Sequence, residues 1–361
     1  MTVRTHRYSD IMPAASPSGA SKLPQSQASP LLPLSAMPPL EELLDGARVV
    51  ALPMRVKFRG ILERETLLLR GPVGWGEFGA FPEYGDAEAS RWLASAIEAG
   101  WHGFPEPLRA SIPVNATVPA VPAERVPEIL ARFGRVDAVK IKVAEPGQSL
   151  DDDAARVAAV RNELPEAAIR VDANGGWDVP AAVDALTRLA AAGLEYAEQP
   201  VPDIEGLAEV RRRLRADGVP VLIAADESVR KEEDPLKVAR AGAADLIVVK
   251  VAPLGGVRRA LEIVAQAGMP AVVSSALDTS VGIRAGLALA AALPELPYAC
   301  GLGTVSLLAA DVTTDSLVAD DGAIRLRDVA ADDGLLEQYA AAPERREWWL
   351  ARLARAYAEL A

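Results

Sequence analysis

One cysteine, Cys300, occurs in 361 residues. A single thiol excludes an intramolecular disulfide framework and fits a reducing compartment, the cytoplasm. Histidine is almost as scarce, with only His6 and His102. His6 lies in a leading segment rich in Ser, Pro and Ala, so imidazole is not expected to carry catalysis or bind a metal. No apolar run approaches the roughly 18 residues that a membrane helix needs. No Lys/Arg-rich block appears and the net charge is −12, so neither a nucleic-acid face nor a membrane partner is expected. The glycine fingerprint of a dinucleotide fold is missing as well.

Half of the residues are hydrophobic, enough for a large core. Residues 1–36 show no periodicity and read as a disordered N-terminal extension, a poor fit to a secretory signal. Residues 37–110 read as a small α+β domain. "ARVVALPMRVKFRGILERETLLLRGPVGWGEFGA" alternates like antiparallel strands, and "DAEASRWLASAIEAGW" reads as an amphipathic helix. Residues 111–305 change rhythm. Eight short apolar stretches ("SIPVNATV", "DAVKIKV", "AIRVDAN", "EYAEQP", "VLIAADES", "DLIVVKV", "PAVVSSAL" and "YACGLGT") alternate with Ala/Leu/Arg-rich helical segments. Parallel neighbours need crossover helices, so this rhythm predicts an α/β barrel rather than a doubly wound open sheet. Residues 306–361 read as short strands and a terminal helix that pack back on the first domain.

Barrel chemistry gathers at the C-terminal strand ends. Those ends carry Asp172 and Asn174, Glu198, Asp226 and Glu227, and Lys250, with Asp172, Glu198, Asp226 and Lys250 spaced 24 to 28 residues apart. One acid per consecutive strand places three carboxylates on one rim. Any one of them could simply cap a helix. Three together repel one another unless a cation neutralises them. Oxygen ligands without His or Cys suit Mg²⁺, with Mn²⁺ as the alternative. Strand parity turns Asp226 inward as a ligand and Glu227 the other way, as a partner to the ligand shell with Asn174.

The same parity explains two lysines in "VDAVKIKVAEPG". Lys140 and Lys142 share a face, and Val139, Ile141 and Val143 share the other, which must meet the helices. The lysines therefore face the barrel interior, with Lys250 across the ring on the sixth strand. A lysine acts as a base only when neutral, and nearby positive charge eases loss of its proton. A cation holding a carboxylate between two lysines suits removal of the α-proton, followed by reprotonation or expulsion of a β-leaving group.

"KIK", "DAN", "EQP", "ADES" and "VVKVAPLGG" resemble motifs of the enolase superfamily, muconate-lactonizing subgroup, over residues from about 45 to 320. The resemblance implies a modified (β/α)₇β TIM-like barrel beneath an N-terminal α+β capping domain. "GWGEF", "IPVNATVPAV", "VVSSALDTSVG" and "LPYACGLGT" resemble its dehydrating branch. That branch implies syn-dehydration of 2-succinyl-6-hydroxy-2,4-cyclohexadiene-1-carboxylate in menaquinone biosynthesis. By motif, Asp172, Glu198 and Asp226 would be metal ligands, Lys142 the base, and Lys250 a cation over the ring. Lys140 would tune Lys142 and touch the carboxylate. Ser274, Ser275, Gly301 and Thr304 would hold the succinyl tail. Lys57, Arg59 and Glu77 are charged cap residues, with "KFRG" read as a lid and Arg59 as a substrate contact. A small-molecule carboxylate is the expected partner, and a monomer the expected state. N-succinylamino acid racemisation or dipeptide epimerisation is the nearest alternative, muconate cycloisomerisation a weaker one. A non-catalytic barrel would have lost a ligand or base, and none is lost.

Overall fold

The structure, a computed structural model, describes residues 37–58, 60–229 and 234–360. The N-terminal extension and Arg59 lie outside the described residues. Three antiparallel strands form the cap sheet: β1 (Ala47–Phe58), β2 (Ile61–Arg70) and β3 (Trp75–Phe78), in the order β1-β2-β3. Their alternation buries both faces. Ala47, Val49, Leu67 and Leu69 point to a cap core with Trp92 and Leu93 of the helix Asp86–Ile97. Val50, Leu52 and Leu68 point instead to the main core beneath. The C-terminal helix, Pro343–Ala358, adds Trp349, Leu353 and Ala356 to the cap core.

Below lies a parallel sheet of β5 (Ala116–Val118), β6 (Ala138–Lys142), β7 (Ala168–Asp172), β8 (Leu194–Glu198), β9 (Leu222–Ala225), β10 (Leu246–Val249) and β11 (Ala271–Val273), paired in chain order. The eighth stretch closes the ring with almost no strand of its own. Cys300 bridges Val114 and Gly301 bridges Ser274, both parallel. Gly301 donates to the Val273 carbonyl at 2.8 Å, and Asn115 to that of Cys300 at 3.0 Å.

Two expectations need correction. "SIPVNATV" is not one strand: β4 (Ser111–Pro113) pairs with β12 (Ala323–Arg325), Val114 meets Cys300 where the ring closes, and Ala116–Val118 pairs with β6. Pro113 lacks an N–H for a central ladder, which suits this edge position. The tail after residue 305 is therefore shared: its strand pairs with β4, whereas Leu308 and Ala340 bridge to β1 and the last helix packs on the cap.

Val139, Ile141, Val171, Ala197, Ile223 and Ile247 face the helix layer. Tyr196, Ala224, Leu246, Val248 and Val272 fill the lower interior. There Arg170 lies 4.8 Å over the Tyr196 ring and donates to the Asn115 side chain and the Ala299 carbonyl. The barrel is thus plugged from below, and its polar chemistry opens only at the upper rim. Among the described residues no helix is long and apolar enough to cross a membrane.

Candidate active site

The register of the sheet sets the height of the polar residues. Lys142 pairs with Asp172, and Asp172 with Glu198, across adjacent strands. Asp226 lies just beyond the end of β9. Lys142 donates to Asp172 Oδ2 at 2.6 Å and to Asn174 Oδ1 at 2.5 Å. Lys140 donates to both Glu198 oxygens, at 2.9 and 3.1 Å, and stands 3.3 Å from Asp172. Lys250 donates to both Asp226 oxygens, one at 2.6 Å. Each carboxylate is therefore turned onto a lysine. Among the described residues no three Asp, Glu, His or Cys side chains converge tightly enough to ligate an ion in this arrangement.

Asp172, Glu198 and Asp226 are at most 5% exposed. Burial resists ionisation of Asp172, yet Lys142 and Lys140 hold its carboxyl below the usual carboxylate range. Asp226 is held low against burial by Lys250 and Lys140. Glu198 goes the other way, to about 8, because burial and the charge of Asp172 outweigh Lys140. Burial likewise opposes the charge on Lys140 and Lys250, but Glu198 and Asp172 raise the first and Asp226 and Glu227 the second. Burial and the neighbouring carboxylate thus leave Glu198 the acid of the three that resists ionisation. This oxygen-only donor set suits a hard divalent cation.

Lys140, Lys142, Asp172, Asn174, Asp226, Glu227 and Lys250 line one cavity, together with Ser274, Ser275, Gly301 and Thr304. Glu198 sits beneath, under Lys140. Glu227 departs from the strand-parity expectation. β9 ends at Ala225 and residues 227–229 form a 3₁₀ turn, so alternation stops and Glu227 reaches the same cavity, accepting from Asn174 Nδ2 at 2.9 Å. Ser275 donates to the Gly301 carbonyl at 3.0 Å and lies 2.7 Å from the Thr304 hydroxyl. Glu77 does not line this cavity but binds the start of a barrel helix, and Lys57 is exposed at the end of β1.

Several contributors escape sequence reasoning. Gln199 holds Asp226 in place, its Oε1 accepting from the backbone N–H of Asp226 at 2.9 Å and of Ser228 at 3.1 Å. Thr117 and Leu277 also line the cavity. Phe81, Tyr84 and Trp92 of the cap form an aromatic wall beside Lys250 and Pro253. Their signal was the clustering of aromatics within twelve residues of a chain that is only 5% aromatic. Backbone strain gathers here too. Ala144, Asn174, Gln199 and Leu277 have φ between 40° and 61°, each shortly after a barrel strand. Such conformations persist in non-glycine residues only where surrounding contacts fix them.

Residues 123–335 match the enolase C-terminal domain-like family and residues 49–100 the enolase N-terminal domain-like family. Muconate lactonizing enzyme from Pseudomonas fluorescens, complexed with muconolactone, superposes with a TM-score of 0.70 at 22% identity, over 82% of this chain and 98% of that one. 2-Chloromuconate cycloisomerase from Rhodococcus opacus gives 0.68 at 24% identity over the same shares. A capped barrel with lysines and carboxylates on its rim is thereby the architecture of an enolase-type enzyme. Closer in sequence, o-succinylbenzoate synthase from Mycolicibacterium smegmatis is 56% identical over 325 residues, 90% of this chain and 99% of that protein. The o-succinylbenzoate synthase of Mycobacterium tuberculosis is 55% identical over 328 residues, 91% and 98% respectively. The chain belongs to the o-succinylbenzoate synthase family of the enolase superfamily.

Proposed function

We propose that this site dehydrates 2-succinyl-6-hydroxy-2,4-cyclohexadiene-1-carboxylate to 2-succinylbenzoate, a step of menaquinone biosynthesis. The observation that carries the reading is the cavity that joins Lys142 from the second barrel strand to Lys250 from the sixth, lined by the buried carboxylates of Asp172 and Asp226, with Glu198 held by Lys140. Asp172, Glu198 and Asp226 would hold a divalent cation, Mg²⁺ by their hard oxygen donors, with Mn²⁺ also suited. When bound, that ion would act as a Lewis acid toward the substrate carboxylate.

Lys142 takes the proton α to the carboxylate. The C–H electron pair becomes a ring double bond as the C–O bond to the hydroxyl breaks on the same face. Lys142 returns its proton to the departing hydroxide, which leaves as water, so the lysine ends as it began. Lys250 presents positive charge on the opposite face, and Lys140 keeps positive charge next to Lys142. Aromatisation of the ring drives the step. Ser274, Ser275, Gly301 and Thr304 lie where the succinyl tail would extend, offering neutral hydrogen-bonding groups.

The presence of Lys250 across the cavity favours one second reading, racemisation of N-succinylamino acids, which needs a proton handled on each face. The test is a side-by-side assay with Mg²⁺ of dehydration and of racemisation, each repeated after EDTA. Rapid dehydration, lost with EDTA and restored by Mg²⁺, is expected. Absence of dehydration with metal present would sink the assignment, and racemisation at a comparable rate would make the chain bifunctional.

A further inference from the structure

The loop after the seventh barrel strand, Ser274–Thr279, carries Ser274 and Ser275, two of the groups assigned to the tail, and its shape is not self-supporting. Leu277 has φ of 61°. That is a left-handed conformation which a leucine does not adopt without outside constraint. The constraint comes from the cap. Arg64 of β2, only 2% exposed, donates from Nε to the Leu277 carbonyl at 3.2 Å and from Nη2 to the Gly79 carbonyl. Its guanidinium lies 4.4 Å over the Phe81 ring. Glu77 of β3 accepts from the Thr279 hydroxyl at 2.6 Å, from the Thr279 N–H at 3.1 Å and from the Gly282 N–H at 3.0 Å. These donors belong to the first turn of the helix Ser280–Ala292, so a cap carboxylate closes the helix that the loop feeds. Within the loop, Asp278 accepts from the Ala276 N–H at 3.1 Å.

Both contacts require missing side chains. A Cβ on Gly282 would stand 2.8 Å from Glu77 Oε2, and one on Gly79 2.7 Å from Arg64 Nη2. We propose that Arg64 and Glu77 are positioning residues that hold the Ser274–Thr279 loop in the conformation that receives the flexible, carboxylate-ended tail of the substrate. The proposal rests on the dehydration reading for the nature of that tail. Neither residue touches the reacting atoms. The cap thereby sets specificity from behind the loop as well as by covering the barrel mouth.

The test uses the full chain with Mg²⁺ and compares wild type with Glu77→Gln, Arg64→Lys, Arg64→Met and Gly282→Ala. The last crowds Glu77 without removing it and also presses on the Asp278 Cβ of the loop, 2.7 Å from the added carbon. Four quantities are measured: kcat, KM, the inhibition constant of 2-succinylbenzoate, and that of 2-methylbenzoate, which lacks the tail. Thermal melts accompany each. KM and the 2-succinylbenzoate constant are expected to rise about tenfold in Glu77→Gln, Arg64→Met and Gly282→Ala, with kcat and the 2-methylbenzoate constant changed less than about twofold. Arg64→Lys, which keeps a donor toward the Leu277 carbonyl, is expected to recover part of the loss. Equal weakening of both inhibitors, or no weakening in folded variants, overturns the proposal. Failure of all variants to fold also overturns it, because the pair would then be structural. A wild-type chain that cannot dehydrate the substrate fails the functional reading instead, and is recognised before any variant is compared.

Discussion

Lys142 and Lys140 sit two residues apart on one face of β6, yet their surroundings differ, in line with the separate roles proposed for them. Lys140 lies over both oxygens of Glu198 and near Asp172, and Glu198 and Asp172 hold it in its charged form. Lys142 is shared between Asp172 and the Asn174 amide oxygen, which itself belongs to a strained left-handed residue with φ of 46°. A side chain held by two short contacts has a defined position, which a base needs more than it needs burial. Lys142→Ala is therefore expected to lower kcat by about 10²–10⁴-fold while the circular dichroism spectrum and melting temperature stay near those of wild type. Residual turnover within tenfold of wild type would show that another group takes the proton. Asn174→Ala removes one of the two contacts and should leave a smaller loss, since Asp172 still positions the Lys142 nitrogen.

At the level of elements, the loops above the strands are fixed by the cap. The helix Val257–Ala267 follows the loop that starts at Lys250, and its first N–H groups, those of Val257 and Arg258, donate to the cap carboxylate of Glu98. Gly256 lets that carboxylate in. Its φ is 126°, and a Cβ there would stand 2.3 Å from Glu98 Oε2. Gly256→Ala combines a backbone conformation that L-residues resist with displacement of a buried acid from its donors. It should cost roughly 2–4 kcal/mol of stability by urea titration, and a loss under about 0.5 kcal/mol would mean the cap tolerates the shift. Much at this level was legible in the sequence. Period-two alternation put Lys140 and Lys142 inside and Val139 and Ile141 outside, and the regular spacing of Asp172, Glu198 and Asp226 put one acid on each consecutive strand. What could not be read follows from physics that acts across the chain. The eighth stretch, "YACGLGT", was legible in place but not in form: it closes the ring by single bridges from Cys300 and Gly301 to Val114 and Ser274 rather than as a strand. Parity misplaced Glu227 because a 3₁₀ turn begins where the strand stops. Leu277 carries no mark of its left-handed backbone, because the constraint lies in Arg64, 213 positions away along the chain.

For the whole molecule, the cap must be rigid enough to place Arg64, Glu77 and its aromatic wall, and the last helix supplies that rigidity. Arg345 donates to both Glu65 oxygens, at 2.6 Å for the shortest contact, and the Trp349 indole adds a third donor at 3.0 Å. Three residues further on, Arg352 is 1% exposed and spends its guanidinium on three backbone carbonyls: Ala80 at 3.0 Å, Phe81 at 2.8 Å and Tyr84 at 2.7 Å. Those carbonyls belong to the segment whose Phe81 and Tyr84 rings face Lys250. The far end of the chain thus ties down one wall of the site. Removing the guanidinium leaves three buried acceptors without donors and empties space beside Trp348 and Trp349, over whose rings it lies at 5.0 and 5.6 Å. Arg352→Ala should therefore lower stability by about 2–4 kcal/mol. If the segment from Ala80 to Tyr84 also shapes the cavity, KM for the cyclohexadiene substrate should rise several-fold at a temperature well below the lowered melting point, with kcat altered less. A fall in melting temperature with KM unchanged would confine Arg352 to holding the cap together. Arg352→Lys separates the two contributions further, because one ammonium can satisfy part of the carbonyl set but cannot span all three.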